Sequence, residues 1–182
     1  MSRRSRTPFV VLGLLGYEPM SGYDLKATIE NTVGHFWQES YGQLYPTLKQ
    51  LHEDGLLAMA EEGEGARPRK VYSLTPAGRA ALFEWLAEPP QPTPIRNEML
   101  LKVFLASLGD ADDLRPHLEA ARANARGTAA ALRGVRAAVE AEEATEHQRR
   151  CWLLTIDLGL RGAEATLAWA DEALAQLDSE TP

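Results

Sequence analysis

A short stretch in the first half of the chain carries side chains suited to reading a polyanion. In "SYGQLYPTLKQLHEDGLL", residues 40–57, Ser40, Tyr41, Gln43, Tyr45, Thr47 and Lys49 bring hydroxyls, an amide and a cation, and no carboxylate appears before Glu53. Glutamine can make paired hydrogen bonds to adenine, serine and threonine hydroxyls serve several bases, and the threonine methyl suits that of thymine. Lys49 and the first helical amides would meet phosphates. Leu44, Leu48 and Leu51, spaced four and then three, belong to the opposite, core-facing side of one helix. Tyr45 is open to two readings, a phosphate contact through its hydroxyl or a core ring. Pro46 lacks an amide hydrogen, so the helix starts later than Ser40 or bends there. A second cationic group, Arg67, Arg69 and Lys70, lies beside Gly63 and Gly65 and follows Glu61, Glu62 and Glu64. A flexible basic loop of this kind can lie along a phosphate backbone or enter a minor groove.

These groups need a scaffold, and the flanking sequence supplies one. A first helix is expected from Thr7, with Thr7 as N-cap and Pro8 at the first helical position, to about Gly16. "YEPMSGYDL" reads as a turn, after which Ser21 caps a second helix with Asp24 three residues on. "NTVGHFWQES" is a connection, with Phe36 and Trp37 packing under it. The quoted helix follows, opened by Ser40 and stopped by Gly55. Leu57 and Met59, then Val71, Tyr72 and Leu74, mark two short strands, and the polar "EEGEGARPR" is the loop between them. Thr75 and Pro76 start a fourth helix. Three helices followed by a β-hairpin is the order of a winged helix-turn-helix, and this domain is expected to span residues 1–88.

"EPPQPTP", with four prolines in seven residues, places a semi-rigid linker at 89–94. Residues 95–182 are helical in pattern and form a C-terminal helical domain. One stripe runs Leu114, Leu118, Ala121, Ala125, Thr128, Leu132, Val135, Val139, and another Leu153, Ile156, Leu160, Ala163, Leu167, Ala170, Leu174, Leu177. Alternating steps of three and four pack two long helices as an antiparallel hairpin or across a dimer. Leu153, Ile156, Leu160, Leu167 and Leu174 are the candidate dimerisation residues. Trp152, Leu154, Leu158 and Trp169 lie off that stripe and stay exposed unless a second chain covers them. Trp37, Trp152 and Trp169 are either core residues or the lining of an aromatic ligand pocket.

Composition narrows the function classes. The net charge of −7 argues against broad wrapping of nucleic acid and leaves room for one basic face. Cys151 is the only cysteine, so no intramolecular disulfide and no cysteine-rich metal site can form. His35, His52, His117 and His147 are scattered, without metal-ligand spacing. No phosphate-binding glycine loop and no nucleophile elbow is present. No stretch approaches the ~20 apolar residues of a membrane span. The expectation is a reducing, cytoplasmic protein that is not an enzyme and needs no cofactor or metal.

Three segments in order, "VLGLLGYEPMSGYDL", "GQLYPTLKQLHEDGLL" and "RKVYSLTPAG", resemble the PadR family of bacterial transcriptional regulators. "NEMLLKVFLASLGD", residues 97–110, is similar to the start of the C-terminal region in its longer members. The glutamate-rich "AEEGEGARP" departs from the family's pattern at the wing. The resemblance implies a mainly α fold with a small β-hairpin wing, a winged helix-turn-helix joined to an antiparallel helical dimerisation domain. It also implies a homodimeric repressor that responds to a small, often aromatic, molecule. The expected partner is double-stranded DNA with a pseudo-palindromic operator whose half-sites lie about one helical turn apart. The alternative is a ligand-sensing or protein-interaction module with weak or lost DNA binding.

Overall fold

A computed structural model describes residues 6–37, 41–63, 69–92, 96–109 and 111–180. Ser40, Arg67 and Pro94 lie outside the described residues. Among the described residues the α-helices and strands are α1 Thr7–Leu15, β1 Met20–Ser21, α2 Gly22–Asn31, α3 Leu44–Glu53, β2 Leu57–Glu62, β3 Arg69–Leu74, α4 Pro76–Ala87, α5 Glu98–Leu105, α6 Arg115–Ala141 and α7 Glu146–Glu180. The contacts divide the chain into two compact units that part between Pro92 and Thr93.

The N-terminal unit is built on Val11 and Leu12 of α1, Leu25 and Ile29 of α2, and Leu48 and Leu51 of α3, all buried together. Three antiparallel strands in the order β1-β3-β2 close one side. The expected turn before α2 contains β1, because Met20 and Ser21 pair with Tyr72 and Val71 of β3. A two-residue strand carries no periodicity, so only the long-range pairing defines it. Thr7 is not the N-cap of α1. Arg6 takes that place without a side-chain bond, and Thr7 is the first helical residue and buried. Pro8 still falls in the first turn, where its missing amide costs no helical bond. Phe36 does not pack inward but is 54% exposed, while Trp37 is half-buried.

Two caps set the entries of α2 and α4. Ser21 Oγ accepts from the Asp24 amide, and the Asp24 carboxylate accepts from the Ser21 amide and hydroxyl. Ser21→Ala is therefore expected to lower stability by about 1 kcal/mol, read as a lower urea midpoint with an unchanged slope. At α4, Thr75 Oγ1 accepts from the Gly78 amide and donates to the carbonyls of Gly55 and Leu56. The stacked rings of Phe9 and Trp85, centroids 4.5 Å apart, bind α4 to α1.

The C-terminal unit is a long antiparallel hairpin of α6 and α7 with α5 before it. Its seam holds Ala129 and Leu132 of α6 against Ile156, Leu160 and Ala163 of α7. Arg115–Asp178, Arg122–Asp171, Arg133–Glu164 and Arg136–Asp157 bridge the helices along their length. Such exposed pairs contribute little each, but like charges in a slipped register would repel. Arg161 donates to Asp157 and holds that carboxyl below its usual range, so it stays ionised as pH falls. A 3₁₀ turn over Ala111–Leu114 leads into α6, whose N-cap residue is Leu114 with no side-chain capping bond.

The stripe assigned to a dimer interface has a partner inside the chain. Ile156, Leu160 and Leu174 are buried, with Leu153 and Leu167 half-buried, and Leu153, Ile156 and Leu160 pack against α6. Heptad spacing shows that a face is covered; it carries no information on which chain covers it. The residues left uncovered are Leu154 and Leu158, 64% and 75% exposed.

Candidate functional site

The α3 helix begins at Leu44, not Ser40. A 3₁₀ turn over Tyr41–Gln43 precedes it, and Gln43 is its N-cap residue. This start removes the difficulty with Pro46. As the third residue of the helix, Pro46 sits where an amide has no intrahelical acceptor in any case. Gly55, with φ of +72°, adopts the left-handed conformation that ends the helix after Asp54.

Leu44, Leu48 and Leu51 are buried, which turns the other side of α3 outward. Gln43, Tyr45, Pro46 and Lys49 are exposed, and Thr47 is half-buried at the margin. Tyr45 is not a core ring, though one edge packs on α2. It is 59% exposed, yet a β-carbon at Gly22 would come within 2.7 Å of its Cε1. The ring therefore lies edge-on over the start of α2, and glycine at position 22 permits that close approach. Lys49 lies 3.7 Å from Glu53, an exposed pair that leaves the ammonium accessible.

Two polar residues on this surface were not among the sequence candidates. Gln50 completes a line with Gln43 and Thr47 at helical spacing, and its amide donates to Asp54. The spacing alone could have found it. Tyr23, second residue of α2 and 77% exposed, follows Gly22, which Tyr45 approaches closely; the capping pattern marks its position but not its exposure.

The wing is less basic than its sequence suggests. Lys70 pairs across the strands with Glu61, and Arg69 with Glu62. Neighbours along a strand face opposite ways, so Arg69 and Lys70 do not form one cluster. Arg69 also forms an ion pair with Asp24, the capping carboxylate of α2. It ties the wing's root to the helix-turn-helix instead of standing free.

Of the three tryptophans proposed for a pocket, Trp37 belongs to the N-terminal unit and Trp152 and Trp169 to α7. Trp152 and Trp169 are 17 residues apart on one helix, about 25 Å along its axis, so within one chain they do not share a pocket. Trp169 lines a cleft of about 610 Å³ between α5, α6 and α7. Among the described residues, no three His, Cys, Asp or Glu side chains gather as a metal ion would require. No described helix is long and apolar enough to cross a membrane.

Comparison with known proteins covers both units. Residues 11–84 match the "Transcriptional regulator PadR-like family" and residues 95–178 the "Virulence activator alpha C-term" family. The Bacillus subtilis "Negative transcriptional regulator PadR" is 33% identical over 101 residues, 54% of this chain and 56% of that protein. The Vibrio cholerae virulence activator AphA is 32% identical in a structural match covering 95% of this chain and 98% of that one, with a TM-score of 0.75. Bacillus subtilis PadR in complex with operator DNA superposes with a TM-score of 0.82 at 24% identity, covering 94% and 99%. The same protein has been solved with p-coumaric acid, with a TM-score of 0.79 at 23% identity, covering 98% and 99%.

Proposed function

The chain belongs to the PadR-like family of transcriptional regulators, and on that basis we propose that it is a DNA-binding regulator acting as a homodimer, with α3 of each subunit in a major groove. The observation that carries this reading is the outward side of α3. It presents Gln43, Tyr45, Lys49 and Gln50 with no carboxylate before Glu53, while three leucines hold the helix to the core. Residues at the N-terminal end of such a helix meet base edges. Gln43 and Thr47 take that role here, joined by Ser40 and Tyr41 on sequence grounds. Lys49 and the Tyr45 and Tyr23 hydroxyls meet phosphates. Lys70 and Arg67 give the wing its backbone contact, and Arg69 positions the wing through Asp24.

The complexes of the Bacillus relative with operator DNA and with p-coumaric acid support a regulator released from DNA by a small molecule. Repression follows from occupancy of a site upstream of a promoter, in the cytoplasm, and requires no catalysis. An effector needs to favour the non-binding arrangement by only a few kcal/mol. Footprinting on the DNA upstream of its own gene tests the reading. Two protected half-sites about one helical turn apart are expected; uniform or no protection contradicts it.

The second subunit is placed on the exposed apolar residues of the C-terminal unit. Leu154 and Leu158 on α7, and Leu101 and Phe104 on α5, are 56–78% exposed. The eight-residue α5 has no buried residue of its own, and so short a helix is marginal without a partner. Leu154→Glu with Leu158→Glu is expected to raise the dimer dissociation constant at least tenfold in sedimentation equilibrium, with helical content kept. An unaltered dimer would place the interface elsewhere.

A further inference from the structure

The cleft beside Trp169 carries an inference about the effector's chemistry. It opens between α5 and the α6–α7 hairpin and lies wholly in the C-terminal unit. Its volume of about 610 Å³ falls within the ~300–1,000 Å³ of small-molecule sites. Its apolar lining is alanines and Gly162 of the hairpin, Met99 and Leu100 of α5, and the Trp169 ring. Polar groups come from Asn97, Asn124, Thr128 and Thr166. The Thr166 hydroxyl donates to the Gly162 carbonyl, which leaves its lone pairs free to accept. None of the described lining residues carries a charge. Of the cations next to lining residues in sequence, Arg122 is paired with Asp171 and Arg161 with Asp157, and neither Arg96 nor Arg126 is part of the lining.

We propose that this cleft is an effector site for an uncharged, flat aromatic molecule bearing amide or hydroxyl groups, an inference that rests on the regulatory function proposed above. A flat ring would stack on Trp169 beside the small side chains of the hairpin. The two amides and two hydroxyls would fix its orientation. A carboxylate seated there would meet no cation among the described lining residues, so the preference runs opposite to what an anionic ligand needs. Leu154 and Leu158, the residues assigned to the second subunit, are not part of the lining.

Gly162 makes the site testable. A β-carbon there would meet nothing within 4 Å, and a helix interior favours almost any residue over glycine. Gly162→Leu therefore adds an isobutyl group to the lining from a β-carbon that meets no neighbour. Isothermal titration of the dimer with 4-hydroxycinnamamide and with p-coumaric acid, at a pH where the acid is ionised, compares ligands that differ chiefly in charge. The amide is expected to bind at least tenfold tighter, and Gly162→Leu and, separately, Asn124→Leu to weaken it at least tenfold. Equal or tighter binding of the acid, no binding of either, or amide binding indifferent to both variants overturns the proposal. So does a Gly162→Leu protein whose main change is its dimer dissociation constant, since the cleft would then be a contact between chains. DNA binding measured with the amide present reads the regulatory claim separately. Amide seated in the cleft without release of DNA keeps the site and removes its regulatory role.

Discussion

Replacing Gln43 with alanine is expected to weaken binding to the operator by about thirtyfold or more while leaving folding and dimerisation intact. A bidentate side chain–base pair contributes about 1–3 kcal/mol of discrimination, and the dimer makes the contact twice. Gln43 is exposed at the N-cap position of α3 with no side-chain capping bond, so its loss costs the fold little. The effect should be confined to the operator and relax preference at one base pair in each half-site. Lys49→Ala should behave differently. It should weaken operator and scrambled DNA alike and flatten the dependence on salt by about one phosphate per subunit. Anisotropy titrations at several salt concentrations separate the two patterns. Equal losses on both DNAs for Gln43→Ala would reduce α3 to a backbone contact.

The second large effect falls on the fold. Gly78→Ala is expected to destabilise the N-terminal unit by about 3 kcal/mol or more, since forcing atoms into a packed site shifts backbone and rotamers. A β-carbon at Gly78 would overlap the Leu56 carbonyl oxygen and press on Leu74. That carbonyl cannot retreat easily, because it accepts from the Thr75 amide and from Thr75 Oγ1. The Gly78 amide is in turn held by Thr75 Oγ1. The same substitution at Gly13, in α1, meets nothing within 4 Å and should be neutral or stabilising by up to about 1 kcal/mol. Urea unfolding of the two variants side by side tests the point. A Gly78→Ala protein as stable as Gly13→Ala would mean that α4 can slide away from the turn at Gly55.

Helix starts and buried stripes were legible in the sequence. Ser21 with Asp24 and Thr75 with Pro76 announce helix starts through local hydrogen bonding, and both caps are found where the spacing places them. Leu44, Leu48 and Leu51 give the orientation of α3 because a buried stripe has a period. The same period on α7 left open which chain covers it, and Ile156 and Leu160 are covered by α6 of the same chain. The 3₁₀ turn before α3, the β1 pairing and the Arg69–Asp24 ion pair had no local signal. The β1 pairing and the ion pair depend on residues brought together from distant positions, Arg69 and Asp24 being 45 residues apart. The cleft at Trp169 was hidden for the same reason: its Asn, Thr and Gly lining is unremarkable until three helices converge.

The most direct test of the central claim is fluorescence anisotropy of the purified dimer on the DNA upstream of its own gene, against scrambled DNA, at low and moderate salt. Binding to the upstream DNA at least a hundredfold tighter than to the scrambled DNA, weakening as salt rises and reduced by Gln43→Ala, is the expected result. Equal affinity for the two DNAs at both salt concentrations, unmoved by Gln43→Ala, would contradict sequence-specific reading by α3.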